Sequence, residues 1–228
     1  MSVAAVARNV DLAEVGVREL NEALHAADSG SWRVLRPAGR HSIAVGVEAP
    51  LQIEIDGHVG YYCAGMNQHA EIRVRGNCGV GVAENMMSGT VVVEGDASQA
   101  AGASAHGGLL VIEGNAAARC GISLKGGDIV VRGSVGHASA FMAQSGRLVV
   151  CGDAGEALGD SIYEARLYVR GNVASRGADC VAKALEERHR FELGEMLSQA
   201  GLADVDPADF VRYGSSRKLY NFDVDNAY

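Results

Sequence analysis

The sequence predicts an all-β chain: a single-chain, right-handed parallel β-helix of about seven 19-residue coils, with helical caps at both ends. Seven glycines recur at a constant interval of 19 residues. The residues two and four positions before each glycine are always aliphatic, and a turn-forming residue follows six of the seven. A fixed period of this length is typical of coils that stack on copies of themselves. The repeat glycines are Gly57, Gly76, Gly95, Gly114, Gly133, Gly152 and Gly171.

Residues 1–50 are predicted to form an N-terminal cap. Asp11, with Glu14 three residues later and apolar residues at helical spacing behind it, predicts a helix over residues 11–27. The chain then leads into the first coil near Leu51. Short strands are predicted at the apolar residues Trp32, Val34, Ile43, Val45 and Val47.

Residues 51–180 are predicted to form the β-helix, with one short strand in each coil. The alternation of apolar residues predicts strands whose aliphatic side chains point inward and stack on those of the next coil. The inward columns are Ile55, Val74, Val93, Ile112, Val131, Val150 and Val169, and Ile53, Ile72, Val91, Leu110, Ile129, Leu148 and Leu167.

Each strand is expected to end at a tight corner. Asn77, Asp96, Asn115, Ser134, Asp153 and Asn172 follow the repeat glycines and favour turns, whereas His58 is an exception. The residues three and seven positions beyond each glycine are always Gly, Ala or Ser. Small residues there predict a close approach of successive coils.

The strand position three residues before each glycine should point outward. It carries Glu54 and Arg73 and then five apolar residues. Stacked apolar residues on an outer face predict that this face is covered, either by the chain's own terminal segments or by a partner subunit. These possible interface residues are Val92, Val111, Val130, Val149 and Tyr168.

A second outward column lies one residue before each glycine. Arg75 beside Glu94, and Glu113 beside Arg132, place opposite charges in adjacent coils. Such pairs predict a solvated ladder that fixes the register of the stack.

Residues 181–228 are predicted to form a C-terminal helix and a docking tail. Residues 179–200 are rich in helix formers and precede Gly201, and Asp206 with Pro207 opens a shorter helix. The tail from residue 212 to 228 is polar and aromatic and is expected to dock on another protein. Its aromatic residues are Tyr213, Tyr220, Phe222 and Tyr228, of which the first three complete the set of possible interface residues.

The composition excludes several classes of protein. A net charge of −8 argues against a nucleic-acid surface, which is usually basic. The sequence contains no apolar run of 18 residues and no signal-peptide pattern at its start, so we expect a cytoplasmic protein.

No catalytic, cofactor-binding or metal-ligating residue is assigned from the sequence. Cys63 and Cys120 share a column but lie three coils apart, and no CxxC, HxH or HxxxH spacing occurs. The GNCGVG run at residues 76–81 resembles a phosphate-binding loop, but its glycines belong to the repeat. The methionines Met66, Met86, Met87 and Met142 are expected near one corner, where they fill gaps or line a pocket.

The coil unit GxxGxxxG, intact at Gly152, Gly155 and Gly159, resembles the C-terminal β-helix domain of the glutamate synthase large subunit over about residues 50–180. With its caps and the ending RYGSSRKLYNF, the chain is most similar to the small β-helix subunit of N-methylglutamate synthase. The same coil is shared by subunits of formylmethanofuran dehydrogenase and of formyltransferase/hydrolase complexes, which remain an alternative.

The resemblance implies a non-catalytic scaffold within an enzyme complex. An FMN-binding glutamate synthase-like subunit and a glutamine amidotransferase-like subunit would be its partners, and FMN and an iron–sulfur cluster would lie in a partner. The complex would convert methylamine and L-glutamate into N-methyl-L-glutamate and ammonia. Two other classes are less consistent with the sequence. An independent β-helix enzyme would need clustered carboxylates or basic residues on one outer face, whereas the outer columns carry alternating charges and valines. A polymerising β-helix would need uncapped ends, whereas helical segments are predicted at both ends.

Overall fold

The computed structural model describes residues 7–217 and is a parallel β-solenoid, as predicted. One sheet contains 11 strands in the order β1 to β9, then β11 and β10. The strands are β1 (Arg8–Asp11), β2 (Gly30–Leu35), β3 (Leu51–Asp56), β4 (Glu71–Val74), β5 (Thr90–Val93), β6 (Leu109–Ile112), β7 (Lys125–Val131), β8 (Ser145–Val150), β9 (Arg166–Val169), β10 (Cys180–Lys183) and β11 (Val211–Ser215). The helices are α1 (Val17–His25) and α2 (Glu187–Gln199), with a short 3₁₀ helix at Pro207–Asp209.

Strands β3 to β9 stack in the register that the glycine period predicts. Ile72 pairs with Val91 and Val74 with Val93, and the same offset continues to β9. Both inward columns are buried and form one continuous hydrophobic core. The aliphatic columns therefore point inward, as expected.

The stack begins earlier than Leu51. Strand β2 pairs in parallel with β3, and β1 pairs in parallel with β2, so two further rungs precede the repeat. The expectation of strands at Ile43, Val45 and Val47 is wrong. Residues 42, 44 and 46 have φ values of 54–65°, and the segment forms the turn region of an additional coil.

The N-terminal helix is shorter than predicted. Asp11 ends β1 and caps a turn instead of the helix: its carboxylate accepts the Ala13 N–H and pairs with Arg36. Helix α1 begins after Gly16. Asn21 of α1 donates from Nδ2 to Ser42 O at 2.8 Å, and its Oδ1 accepts the Ala44 N–H at 2.9 Å. Helix α1 therefore satisfies backbone groups of the additional coil at the N-terminal end of the stack.

The C-terminal segment also differs from the prediction. Residues 180–183 form strand β10 rather than helix, because they pair antiparallel with β11. Strand β11 lies between β9 and β10, antiparallel to both. The shorter helix is confirmed, with the Asp206 side chain accepting the Ala208 N–H at 2.8 Å.

The turn-forming residues at the corners bond the coil that follows them. Asn77 Oδ1 accepts the Asp96 N–H, Asp96 Oδ1 accepts the Asn115 N–H, and the same contact recurs to Asn172. His58 is not an exception in the structure, since its Nδ1 accepts the Asn77 N–H at 2.9 Å. The corner column is therefore a ladder of side-chain acceptors.

In six of the seven repeats, the small residue seven positions beyond the glycine occupies a left-handed backbone. Ala64, Ala83 and Ala140 have φ near 55°, and Gly102 has φ of 66°. A Cβ on Gly102 would lie 2.5 Å from Cδ1 of Ile129 in the core. Backbone conformation and close packing together explain this column.

Candidate interaction surface

Helix α2 covers half of the outer face of the sheet. Val111, Val130, Val149 and Tyr168, on strands β6 to β9, are at most 3% exposed and form a second hydrophobic cluster with the C-terminal segment. The cluster is completed by Cys151, Leu193, Met196, Leu197, Ala200, Leu202 and Phe210. The sequence allowed either a terminal segment of the chain or a partner subunit to cover this face. In the structure, the chain's own C-terminal segment covers it. The possible partner interface at these four residues is therefore wrong, because α2 and the segment after it already bury them. Val92, the fifth residue of the column, is half-buried at the edge of this cluster.

The length of α2 matches the rungs it covers. Its 13 residues span about 20 Å at 1.5 Å per residue. The four spacings that separate β5 from β9 amount to about 19 Å at about 4.8 Å each. The helix runs back along the stack, from Glu192 beside Arg166 on β9 to Gln199 beside Thr90 on β5.

A polar anchor fixes α2 to the sheet. Glu192 accepts the Tyr168 O–H at 2.9 Å, and lies 3.2 Å from Arg166 and 3.8 Å from Arg147. Burial, together with the hydrogen bond to Glu192, raises the pKa of Tyr168, so the phenol stays protonated and donates. Sequence reasoning missed this anchor, because Glu192 is one of many charged residues in its helix.

His189 caps the first turn of α2. It is buried, and its Nδ1 accepts the Glu186 N–H at 3.2 Å while the Glu186 side chain accepts the His189 N–H. Desolvation and the nearby Arg212 and Arg188 lower the pKa of His189, against the opposing effect of Glu186 and Glu192. The imidazole is therefore held neutral at a position where a proton would remove the hydrogen bond.

Stability should fall as the pH drops from about 7.5 to 5.5. The folded-state pKa of His189 lies below its ordinary value of about 6.5, so the unfolded chain binds the proton more readily. The stabilising contribution is therefore present above pH 6.5 and is lost as the pH falls towards the folded-state pKa. The measurement is the free energy of unfolding, determined by urea denaturation at each pH. His189→Gln keeps an acceptor for the Glu186 N–H without titrating, and a pH dependence equal to that of the parent protein would contradict the prediction.

The other half of the outer face, on strands β2 to β5, is not covered by α2. It forms an open groove of about 660 Å³, with Ala7 and Gln199 among its lining residues. Its floor carries Arg33, Glu54 and Arg73 on β2 to β4, and Val92 on β5.

The predicted charge ladder is confirmed along the outer edge of the stack. Arg75 lies 2.5 Å from Glu54 and 3.6 Å from Glu94, and Arg132 pairs with Glu113. The hydrogen bond from Arg75 lowers the pKa of Glu54. Opposite charges of neighbouring coils therefore pair with one another along the stack.

An exposed apolar set occupies two neighbouring coils. It consists of Tyr61 and Met66 in one coil and Val80 and Met87 in the next, each 43–53% exposed. Tyr61 stacks on His41 with ring centroids 3.6 Å apart. The Met87 N–H donates to Asn67 O, so the two methionines belong to adjoining backbone. The shared position of Tyr61 and Val80, four residues after a repeat glycine, is the signal that could have identified this set.

The four methionines lie at one corner of the repeat but do not form one site. Met86 is buried in the core, whereas Met66 and Met87 are exposed. Met142 lies in the column of Met66 but four coils away, about 19 Å at 4.8 Å per coil. The four side chains therefore do not line one pocket.

The cysteines lie in the buried interior, and the glycine-rich run allows close packing of successive coils. All five cysteines are free and buried, and burial raises the pKa of Cys63 and of Cys120 to about 12. A Cβ on Gly79, within the GNCGVG run, would lie 2.5 Å from the carbonyl carbon of Gly60 in the preceding coil. Within residues 7–217, no three His, Cys, Asp or Glu side chains form a group that could hold a metal ion.

The predicted docking tail is only partly described. Tyr213 lies in β11, where it pairs with Leu167 and packs against the core. Tyr220, Phe222 and Tyr228 lie outside the described residues. None of the helices within residues 7–217 is long and apolar enough to cross a membrane.

Comparison with known proteins identifies a relative over nearly the whole length. No protein-family model matches the chain. The chain is 59% identical over 222 residues to Protein GlxC of Rhizobium meliloti (strain 1021), an alignment that covers 96% of this chain and 97% of the relative. The repeat, the fold and this identity lead to one conclusion. The chain belongs to the family of Protein GlxC, a glutamate synthase-like β-helix family.

Proposed function

We propose that the chain is the non-catalytic scaffold subunit of a glutamate synthase-like enzyme complex, specifically of an N-methylglutamate synthase. The observation that carries the proposal is the continuous stack of β1 to β9, in which each coil is hydrogen-bonded to the next through backbone and corner side chains. Such a stack holds surfaces at fixed distances along one axis. The relation to a glutamate synthase-like family supports the choice of complex.

The chemistry in this proposal belongs to the partner subunits. An FMN-binding synthase-like subunit with an iron–sulfur cluster would join methylamine to L-glutamate, with an amidotransferase-like subunit beside it. The thiols of this chain suit a structural role, because burial raises their pKa and suppresses the thiolate.

The exposed apolar set is the surface that we assign to a partner subunit. Tyr61, Met66, Val80 and Met87 present large apolar side chains that residues 7–217 leave uncovered. Aromatic residues and methionine are enriched in protein interfaces. The neighbouring coils hold these side chains on a rigid base.

Charging this set should weaken assembly without unfolding the chain. We expect Tyr61→Glu combined with Val80→Glu to reduce the affinity for the partner subunits about tenfold or more, because a carboxylate would be desolvated at an apolar contact. The measurement is size exclusion and titration of co-expressed subunits, with circular dichroism as the test of folding. Met142→Glu is the matched control, since Met142 is equally exposed but lies far from the set.

Two results would overturn the proposal. A double variant that assembles with unchanged affinity would remove the assigned surface. Stoichiometric flavin absorbance in the purified single chain, or turnover by it alone, would contradict the scaffold role itself.

A further inference from the structure

The open groove continues the line of α2 along the stack. Helix α2 covers β6 to β9, and the groove of about 660 Å³ lies over β2 to β5 on the same face. Gln199, the last residue of α2, lines the groove, so the open half begins where the helix ends. The three spacings from β2 to β5 amount to about 14 Å, the length of about ten helical residues.

The covered half shows how a helix matches this face. Helix α2 packs apolar side chains on the valine column and places Glu192 3.8 Å from Arg147 and 3.2 Å from Arg166. These two arginines belong to a further outward column, five residues before the repeat glycines. The cover therefore meets one column with apolar contacts and the other with an opposite charge.

The same further column carries an unpaired acid in the open half. Gln52, Glu71 and Thr90 occupy it, pair in register on β3 to β5 and line the groove. Glu71 is exposed, and the ion pairs formed within residues 7–217 do not include it. Gln52 and Thr90 are uncharged, so this stretch of the column supplies no counter-ion for Glu71.

The neighbouring outward column supplies none either, because its three charged residues in the groove already have partners. The pairs are Arg33 with Asp56 at 2.7 Å, Glu54 with Arg75 at 2.5 Å, and Arg73 with Glu94 at 3.1 Å. Once these pairs are formed, Glu71 leaves the groove with an excess negative charge. A cation on an incoming surface is the complementary group.

We propose that the groove binds an α-helix of a partner subunit, laid end to end with α2 and carrying a lysine or arginine against Glu71. Over the paired charges the helix presents polar or small side chains, because apolar ones would desolvate those ions. Beside the half-buried Val92 it presents an apolar side chain that extends the cluster under α2. This inference rests on the proposed function and adds a second surface to it.

Charge reversal at Glu71 tests the contact. We expect Glu71→Arg to reduce the affinity for the co-expressed FMN-binding or amidotransferase-like subunit about tenfold or more, and Glu71→Gln about threefold. The effect of Glu71→Gln should shrink in high salt, which screens an exposed ion pair. Glu156→Arg is the matched control, because Glu156 is an exposed acid in a turn and makes no ion pair within residues 7–217. Equal affinities of Glu71→Arg and Glu156→Arg overturn the proposal.

Thiol labelling tests whether the groove becomes covered. All five cysteines of the chain are buried, so Gln52→Cys adds one accessible thiol in the groove. A maleimide should label it readily in the isolated chain and about tenfold or more slowly in the complex, whereas labelling of Glu156→Cys should not change. Slow labelling of Gln52→Cys in the isolated chain would assign the groove to the chain's own residues and overturn the proposal.

A photo-crosslinker attached to Gln52→Cys identifies the segment that lies in the groove. Mass spectrometry of the complex should give a helical segment of a partner subunit with a lysine or arginine within one turn of the attachment point. A segment without either residue overturns the proposal. Assembly that is lost on charging the exposed apolar set but is unaffected at Glu71 overturns this inference alone. A parent chain that binds neither subunit overturns the proposed function as well.

Discussion

Replacing Ile112 by aspartate is expected to destabilise the β-helix by about 4 kcal/mol or more, which lowers Tm by about 10 °C or more. Ile112 is fully buried in the middle of the stack. Val93 and Val131 pair with it from the coils on either side. A carboxylate there would have neither water nor a cation, so it would remain buried and unpaired. Thermal unfolding followed by circular dichroism measures the effect.

Val80→Asp is the matched control for this substitution. Val80 is about half exposed, so the same change of side chain should leave Tm within a few degrees of the parent value. An unchanged Tm for Ile112→Asp would mean that the inward column faces solvent. That result would contradict the register of the whole stack.

The coil architecture could be predicted because one constraint repeats. Each coil needs a glycine at the same corner and two aliphatic side chains before it, so the period appears directly in the sequence. The additional coil between β2 and β3 escaped detection because Val34 pairs with Ile55 at a spacing of 21 residues. Its corner carries Arg36, which adopts a φ of 52°, instead of glycine.

The covered face could be predicted, but its cover could not. Valines stacked in an outward-facing column must be shielded from water by some other segment or subunit. The burial of this column could therefore be predicted from the sequence. Leu193, Met196 and Leu197 have the helical spacing that supplies the cover. The direction of α2 along the stack, however, depends on β10 and β11. The short segment Val211–Ser215 has no alternation that predicts a strand, because its burial comes from neighbours on both sides.

The polar anchor of α2 depends on groups far apart in sequence. Glu192 meets Tyr168, Arg166 and Arg147 only after the helix has folded back over four rungs. Each of these residues taken alone has the appearance of an ordinary surface charge or an aromatic core residue. Their combination is a product of the tertiary structure, which explains why no local pattern indicates it.

Replacing Gly133 by alanine is expected to cost about 3 kcal/mol and to lower Tm by roughly 6–12 °C. A Cβ at this corner would lie 2.6 Å from the carbonyl oxygen of Gly114 and closer still to Oδ1 of Asn115. The Gly133 N–H donates to that same carbonyl at 2.9 Å, and Asn115 Oδ1 accepts the Ser134 N–H. Relief of the clash therefore requires the loss of bonds that hold two coils together.

Two further variants separate this clash from a general intolerance of alanine. Gly194→Ala in α2 places a Cβ 3.5 Å from Pro207, an ordinary contact, and should stabilise the chain by about 0.5–1 kcal/mol through helix propensity. In an Asn115→Ala background, Gly133→Ala should cost less than in the parent protein, because the side-chain clash is gone. It should still be destabilising, because the carbonyl of Gly114 remains. Equal costs of Gly133→Ala in both backgrounds would show that the corner ladder does not restrict this position, and a neutral effect in the parent would show that the coils can separate enough to admit a methyl group.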